Sequence, residues 1–594
     1  MRIIKLFLFL LLTSSLIAQN KKNVTLEDIW QNYTFSARSV GGFRSMNNGI
    51  NYTVLERSKE GIDIVKYNYA DKTKSEVLVK SSDLMFNNQS FSIDDYEFSS
   101  DEQKLLIASE MESIYRHSSK ANYYVYDFAT KAITQLADGE KIMYATFSPQ
   151  ANQVAFVKEN NLFYVDLISG KQTQLTFDGK KNEIINGASD WVYEEELELV
   201  RAFEWSPDGK KIAYFRFDET NVKEWSMKMY EDLYPEEIRF KYPKAGEENS
   251  KVAVFIYHLQ ENKTVPTEII EKYEYISRIN WSNDSKNLAI QTLNRHQNKL
   301  IIQLTNAENG KGTIIYKEEN EKYVEVPKTQ FLSTKNQFII TSEKDGYNHL
   351  YLYDTNGKLI NQLTKGNYDV TDFYGVNEKS GLVYYQSAEI SPLDRQVYSI
   401  KLDGKSKKQL STKKGNNSAD FSATFDYFIN YHSDANTPLF ITLNNKNAKQ
   451  IRVLQDNKPL LDRMNETNLS KKEFFTINVN NVTLNAYTIK PQHFDETKKY
   501  PVFMFVYGGP GSQMVEDSWG SSNYFWFQHL ASKGYLVVCV DNRGTGARGA
   551  DFKKITYKQL GKYEIEDQIA AAKYLATLPY IDGSRIGIFG WSYG

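Results

Sequence analysis

The sequence predicts a β-propeller followed by an open α/β domain, and two observations carry that prediction. The first is a recurring phrase in which an aromatic residue precedes a polar turn and then an alternating strand. It appears as Phe98-Ser-Ser-Asp-Glu-Gln-Lys-Leu-Leu-Ile-Ala, Phe147-Ser-Pro-Gln-Ala-Asn-Gln-Val-Ala-Phe, Trp205-Ser-Pro-Asp-Gly-Lys-Lys-Ile-Ala-Tyr and Trp281-Ser-Asn-Asp-Ser-Lys-Asn-Leu-Ala-Ile, with a fainter copy from Phe331. Spacings of roughly 50 to 75 residues suit successive propeller blades, whereas a β-sandwich would need no such recurrence. The second is a change of character near Glu473, where short alternating strands give way to long apolar runs separated by a helical stretch.

The elements follow in order. Met1-Arg-Ile-Ile-Lys5 is positively charged, Leu6 to Leu12 is wholly apolar, and Thr13-Ser-Ser-Leu-Ile-Ala18 completes a secretory signal peptide with cleavage expected after Ala18. An uncleaved anchor is the runner-up, because the apolar stretch is short for about 30 Å of hydrocarbon. The leader predicts an exported protein, periplasmic or secreted. Residues 19–42 form an N-terminal segment expected to pack on the α/β domain. Residues 43–465 are the propeller, with strands such as Leu162-Phe-Tyr-Val-Asp-Leu167 and His349-Leu-Tyr-Leu-Tyr-Asp354. The 41 Tyr and 33 Phe agree with a β-rich chain.

Residues 466–594 read as the N-terminal part of the α/β domain. Phe474-Phe-Thr-Ile-Asn-Val and Leu484-Asn-Ala-Tyr-Thr-Ile suggest a hairpin. Tyr500-Pro-Val-Phe-Met-Phe-Val-Tyr507 and Tyr535-Leu-Val-Val-Cys-Val-Asp541 have the unbroken apolar character of buried parallel strands. Between the second of these and the chain end, Ile565, Ile569, Ala572 and Ala576 recur at helical spacing. The only cysteine, Cys539, falls inside a buried strand, so it reads as a small core residue and no internal disulfide is expected.

The chemistry concentrates at Gly590-Trp-Ser-Tyr-Gly594, directly after Ile586-Gly-Ile-Phe589. A G-x-S-x-G after a short buried strand is the form of a nucleophile elbow, and it makes the α/β part a hydrolase domain. The turn that lifts a serine hydroxyl clear of a sheet strains the serine backbone and leaves room only for glycine on either side. Ser592 is therefore the candidate nucleophile. In α/β-hydrolases the acid and then the base follow the serine in the chain, and all seven histidines precede Ser592. His529, the nearest, sits in a helix-like Phe525-Trp-Phe-Gln-His-Leu stretch and reads as structural. The sequence thus reads as a serine hydrolase truncated at its elbow, and the chain as it stands is expected to be inactive, since a serine without its base is a poor nucleophile.

Composition excludes other classes. Basic and acidic residues balance to a net charge of −2, so nothing favours nucleic acid. No His and Cys cluster has zinc spacing, and Gly544-Thr-Gly546 lacks the full dinucleotide fingerprint, so neither metal nor organic cofactor is expected.

Several motifs together resemble one family. Val506-Tyr-Gly-Gly-Pro510, Asp541-Asn-Arg-Gly-Thr-Gly546, Gly561-Lys-Tyr-Glu-Ile-Glu-Asp-Gln568 and the elbow, placed after a propeller, are similar to the prolyl oligopeptidase superfamily. Asp190-Trp-Val-Tyr-Glu-Glu-Glu196, Arg116-His-Ser and Tyr242-Pro-Lys-Ala-Gly246 resemble its dipeptidyl peptidase IV branch. The resemblance implies an eight-bladed propeller, a homodimer when full length, and release of N-terminal dipeptides, with preference for Xaa-Pro or Xaa-Ala. It implies that Glu195 and Glu196 hold the substrate ammonium, Glu194 standing outside that pair, and that Arg116 binds a substrate backbone carbonyl. Tyr507 and the backbone N–H of Tyr593 would form the oxyanion hole, and the Tyr593 side chain would line the pocket for the penultimate residue. A carboxylate pair suits an enzyme that must measure from a free amino terminus, because it binds ammonium by charge-assisted hydrogen bonds. Two ionised carboxylates side by side also predict that at least one has a raised pKa in the empty enzyme. A prolyl tripeptidyl aminopeptidase, or a non-catalytic propeller binding protein with a degenerate hydrolase domain, are the alternatives.

Overall fold

A computed structural model describes residues 21–479 and 481–594 of the chain. The leader lies outside the described residues, and within them no helix is long and apolar enough to cross a membrane. From Arg44 to Gln455 the chain folds into eight consecutive antiparallel sheets, seven of four strands and one of five, the five-stranded one interrupted by the hairpin Glu224–Met229 and Glu236–Lys241. This is an eight-bladed propeller.

The recurring phrase has a local cause. In three blades the serine after the aromatic donates its hydroxyl to an aspartate two residues on, at 2.6 Å, and accepts a backbone N–H five residues on. The pairs are Ser99 with Asp101 and Lys104, Ser206 with Asp208 and Lys211, and Ser282 with Asp284 and Asn287. The serine closes the turn between the first and second strands of its blade. Central strands depart from the expected alternation. Gln153–Lys158, Leu382–Ser387 and His349–Asp354 are buried on both faces, because each blade is pressed between two neighbours. One such layer joins Ile339, Leu350 and Leu352 to Val383, Tyr385 and Tyr398 of the next blade.

The first and last blades exchange no strand. The ring closes through side chains, with Tyr52, Tyr69, Ile429, Ile441 and Leu443 in one cluster. Tyr69 stacks on Tyr427 with centroids 5.2 Å apart, and Arg452 donates to the Tyr52 hydroxyl at 3.0 Å.

After the helix Lys458–Asn465 comes a five-stranded sheet in the order Lys472–Val479, Val482–Ile489, Leu536–Asp541, Tyr500–Val506, Ile581–Gly590. The last three strands are parallel. The strand Leu536–Asp541 is buried throughout, as its apolar run predicts. Val537 and Cys539 face the helix Ser521–Ser532, whereas Leu536, Val538 and Val540 face the helix Lys562–Ala576. Alternate residues thus serve opposite faces, which is why such a strand carries no polar positions.

The helix Lys562–Ala576 has the expected period but presents a different face. Ile565 and Ile569 are exposed, and the buried positions are Glu564, Asp567, Gln568, Ala571 and Leu575. Polar partners on the loop after Asp541 fix this rotation, as described below. The N-terminal segment packs on the α/β sheet's helix and on the helix after the last blade. Phe35 stacks on Phe525 at 4.2 Å, and the Val24 carbonyl meets His529 Nδ1 at 2.7 Å, which gives that histidine its structural place.

The α/β sheet is locked to the propeller by buried polar contacts. Lys553 and Lys554 reach Glu343 at 2.6 and 2.8 Å, Asp369 accepts the Gly549 N–H at 2.9 Å, and Arg395 reaches Glu516 at 2.8 Å.

Candidate active site

The strand Ile581–Gly590 delivers the elbow. Ser592 has φ 56°, the left-handed conformation that costs a non-glycine residue. Its flanking glycines are required by space. A Cβ on Gly590 would lie 2.2 Å from the backbone of Gly594, and one on Gly594 would lie 2.2 Å from the Val506 carbonyl oxygen. The turn therefore folds back on itself and against the end of the neighbouring strand, and Ser592 is left exposed.

That neighbouring strand ends at Tyr507, whose ring lies 6.3 Å from the ring of Tyr593. Tyr593 donates its hydroxyl to Glu564 Oε1 at 2.5 Å, and burial together with that carboxylate pushes the phenol well up. The loop after Tyr507 is held from behind. Gly509, at φ 113°, passes so close to Gly544 that a Cβ would sit 2.9 Å from the carbonyl oxygen there.

Each residue of Asp541-Asn-Arg-Gly takes part in this support. Asp541 accepts the N–H groups of Met514 and Val515 at 3.0 and 2.9 Å, and burial raises its carboxyl to about 7. Asn542 donates to the Gly508 carbonyl at 2.8 Å and accepts from Gln568 at 3.0 Å. Arg543 grips Asp567 through its backbone N–H, Nε and Nη2 at 2.7 to 3.1 Å. This is why the helix Lys562–Ala576 turns its polar face inward. Asn542, Asp567 and Gln568 position the Tyr507 loop. Sequence reading recognised their motifs but gave these residues no role, because a supporting hydrogen bond between segments about 25 residues apart leaves no periodic trace.

The second cluster lies in the propeller. The helix Trp191–Leu197 begins at Asp190, whose Oδ1 accepts the Tyr193 N–H at 2.9 Å and whose Oδ2 accepts the Ser250 hydroxyl at 2.5 Å. Tyr193 is buried, and its hydroxyl accepts the Ile276 N–H of the next blade at 3.0 Å. A helix this short is fixed by these tertiary bonds rather than by its own propensity. It presents three glutamates in three directions. Glu194 is buried and accepts the backbone N–H groups of His117 and Ser118 at 2.6 and 2.9 Å. Glu195 meets Arg116 Nε at 2.9 Å. Glu196 is exposed and carries no hydrogen bond to protein; partial desolvation, then the Glu195 charge, raise its carboxyl.

Arg116 stands at the tip of the hairpin formed by Lys104–Ser113 and Ser119–Asp127. Its guanidinium pKa is raised, chiefly by the hydrogen bond and charge of Glu195, with a smaller contribution from Tyr507. The structure places Arg116 against Glu195, with Glu196 beside them, and brings Tyr507 and Tyr593 together next to Ser592.

Removing the Tyr507 hydroxyl has a defined expected outcome. Tyr507→Phe keeps the ring packing but deletes one prospective oxyanion donor, so kcat should fall on the order of 10²- to 10³-fold with little change in KM. Steady-state kinetics that show an equal loss in binding would assign the residue to substrate recognition instead.

Residues 99–439 match the dipeptidyl peptidase IV (DPP IV) N-terminal region, and residues 521–594 match the prolyl oligopeptidase family. A probable dipeptidyl peptidase 4 of Aspergillus flavus is 31% identical over 97% of this chain and 77% of its own length. Human prolyl endopeptidase FAP is 31% identical over 96% of this chain and 77% of its own length. The crystal structure of Porphyromonas gingivalis dipeptidyl peptidase 4 superimposes with a TM-score of 0.91 at 42% identity, covering 96% of this chain and 81% of that one. A propeller joined to a serine-elbow α/β sheet defines a serine peptidase. The chain belongs to the prolyl oligopeptidase family, among its dipeptidyl peptidases.

Proposed function

We propose that the chain carries the amine anchor and nucleophile of an exported exopeptidase that releases N-terminal dipeptides, preferentially Xaa-Pro or Xaa-Ala, through an acyl-enzyme. The observation that carries the reading is the Glu195–Arg116 contact at 2.9 Å beside an unpaired Glu196. An arrangement with one carboxylate neutralised by arginine and one left free suits an arriving ammonium, which replaces the missing counter-charge. Ser592 would attack the carbonyl after the second residue, with Tyr507 and the Tyr593 N–H meeting the developing oxyanion. Water would then hydrolyse the dipeptidyl ester. The acid and base that activate Ser592 are expected C-terminal to the elbow, following the usual chain order of this fold.

Export is proposed from the charged and apolar leader of residues 1–18. A homodimer is proposed as well. The hairpin Glu224–Met229 and Glu236–Lys241, with Tyr230, Leu233 and Tyr234 exposed at its tip, offers an apolar surface for it.

The test is chromophore release from glycyl-prolyl and alanyl-prolyl amides by the full-length gene product, beside amino-blocked versions. Free-amine substrates alone should be cleaved, and Glu195→Ala or Glu196→Ala should raise KM severely. The pH dependence follows from the sign of the Glu196 shift. With its pKa raised, Glu196 protonates sooner as pH falls, so kcat/KM for free-amine substrates should decline on the acid side earlier than an ordinary glutamate would dictate. Glu196→Gln should remove that limb. Equal cleavage of blocked substrates would show that the pair is no amine anchor.

A further inference from the structure

We infer that Glu194 is the positioning residue that sets the Arg116 loop against the acidic pair, an inference that rests on the amine-anchor reading above. Glu194 and Glu195 are adjacent in sequence, yet they meet opposite sides of one loop. Glu195 meets the Arg116 side chain, while Glu194 holds the backbone immediately after it, at His117 and Ser118.

The two contacts differ in strength for a physical reason. The Arg116 side chain is 68% exposed, and an exposed ion pair fixes little. Glu194 is only 2% exposed, and its one oxygen accepts two backbone N–H groups in a dry setting. Besides packing of the Tyr115 ring 6.0 Å from Phe240, the loop is held by Ile114 N–H to the Ser118 carbonyl at 2.8 Å and Tyr115 N–H to the Ser118 hydroxyl at 3.1 Å. Neither of those bonds ties it to the helix Trp191–Leu197. Helix capping does not explain Glu194, since Asp190 supplies the cap and both Glu194 bonds leave the helix for another blade. When a substrate ammonium draws on Glu195, the Arg116–Glu195 contact weakens. Glu194 is then what keeps Arg116 in range of the substrate backbone.

The test uses the full-length enzyme with three variants and two substrates. Glu194→Ala deletes the acceptor and should lower kcat/KM for a glycyl-prolyl amide on the order of 10²-fold, carried by KM, as a loop displaced by about 1 Å would. Glu194→Gln retains an oxygen for the same two N–H groups and should stay within about threefold of the parent. Glu194→Asp keeps a buried carboxylate, withdraws it by one methylene, and should give an intermediate KM if the alanine variant fails to fold. Hydrolysis of p-nitrophenyl acetate, which has no amine to anchor, should remain parental in all three.

A folded Glu194→Ala or Glu194→Asp enzyme with parental KM overturns the inference, as does ester hydrolysis that falls in step with the amide, which would mark general damage. Glu194→Gln as impaired as Glu194→Ala also overturns it, because charge rather than acceptance would then be at work. If Glu195→Ala and Glu196→Ala leave KM unchanged, the anchor reading itself fails, whatever Glu194 does.

Discussion

Ser592→Ala in the full-length enzyme should lower kcat by on the order of 10⁴- to 10⁶-fold while substrate still binds. Ser592 occupies a left-handed conformation that only a turn with glycines at 590 and 594 can hold, and both glycines face backbone at 2.2 Å. Such strain in an exposed serine has no structural benefit, and alanine would relieve none of it, so folding should be unaffected. KM for glycyl-prolyl amides should change little, because the amine anchor proposed above, Glu195, Glu196 and Arg116, lies in the propeller. The informative control is Gly590→Ala or Gly594→Ala, which leaves the hydroxyl in place but cannot form the turn. Those variants should lose activity together with stability. Residual turnover above about 1% in a pure Ser592→Ala sample would transfer the nucleophile's role elsewhere.

Asp567→Ala should produce the largest loss of stability. Asp567 is fully buried and meets three donors of Arg543, whose side chain is itself largely buried. Deleting Asp567 leaves Arg543 only the more exposed Glu566, at 3.2 Å, and costs about 3 kcal/mol. The melting temperature of the α/β domain should fall on the order of 10 °C. Arg543 precedes Gly544, and Asn542 precedes Arg543, so a released Arg543 also loosens the hold on the Gly508 carbonyl and the Tyr507 loop. Activity at low temperature, where the variant is still folded, should therefore fall through kcat. Asp567→Asn, which can still accept from Arg543, should lose less of both. A melting temperature within about 2 °C of the parent would mean that solvent replaces the carboxylate, contrary to its burial.

Much of the site was readable from the sequence because it obeys local rules. The elbow is a five-residue pattern whose glycines are demanded by sterics, and the serine turns of the blades act within five residues of themselves. The run Leu536–Asp541 announces burial on two faces by containing nothing polar before its last residue. The eighth blade carries the same turn, with Ser422 accepting the Tyr427 N–H at 3.1 Å, but Phe421-Ser-Ala-Thr-Phe lacks the aspartate that three of the other copies carry. The face of the helix Lys562–Ala576 was not readable, because Ile565 and Ile569 supply an apolar period while Asp567 and Gln568 supply the bonds that orient it.

The three glutamates 194 to 196 divide the two levels most clearly. By itself the sequence determined that a nucleophile elbow follows a short apolar strand, since that pattern is set by neighbours along the chain, although Ile588 and Phe589 of that strand are exposed rather than buried. Only the tertiary structure decided that Glu194 is buried against a backbone 76 and 77 residues away, that Glu195 faces Arg116, and that Glu196 is left unpaired. Successive helical side chains point about 100° apart, so identical residues reach different surroundings, and the packing of two blades assigns those surroundings.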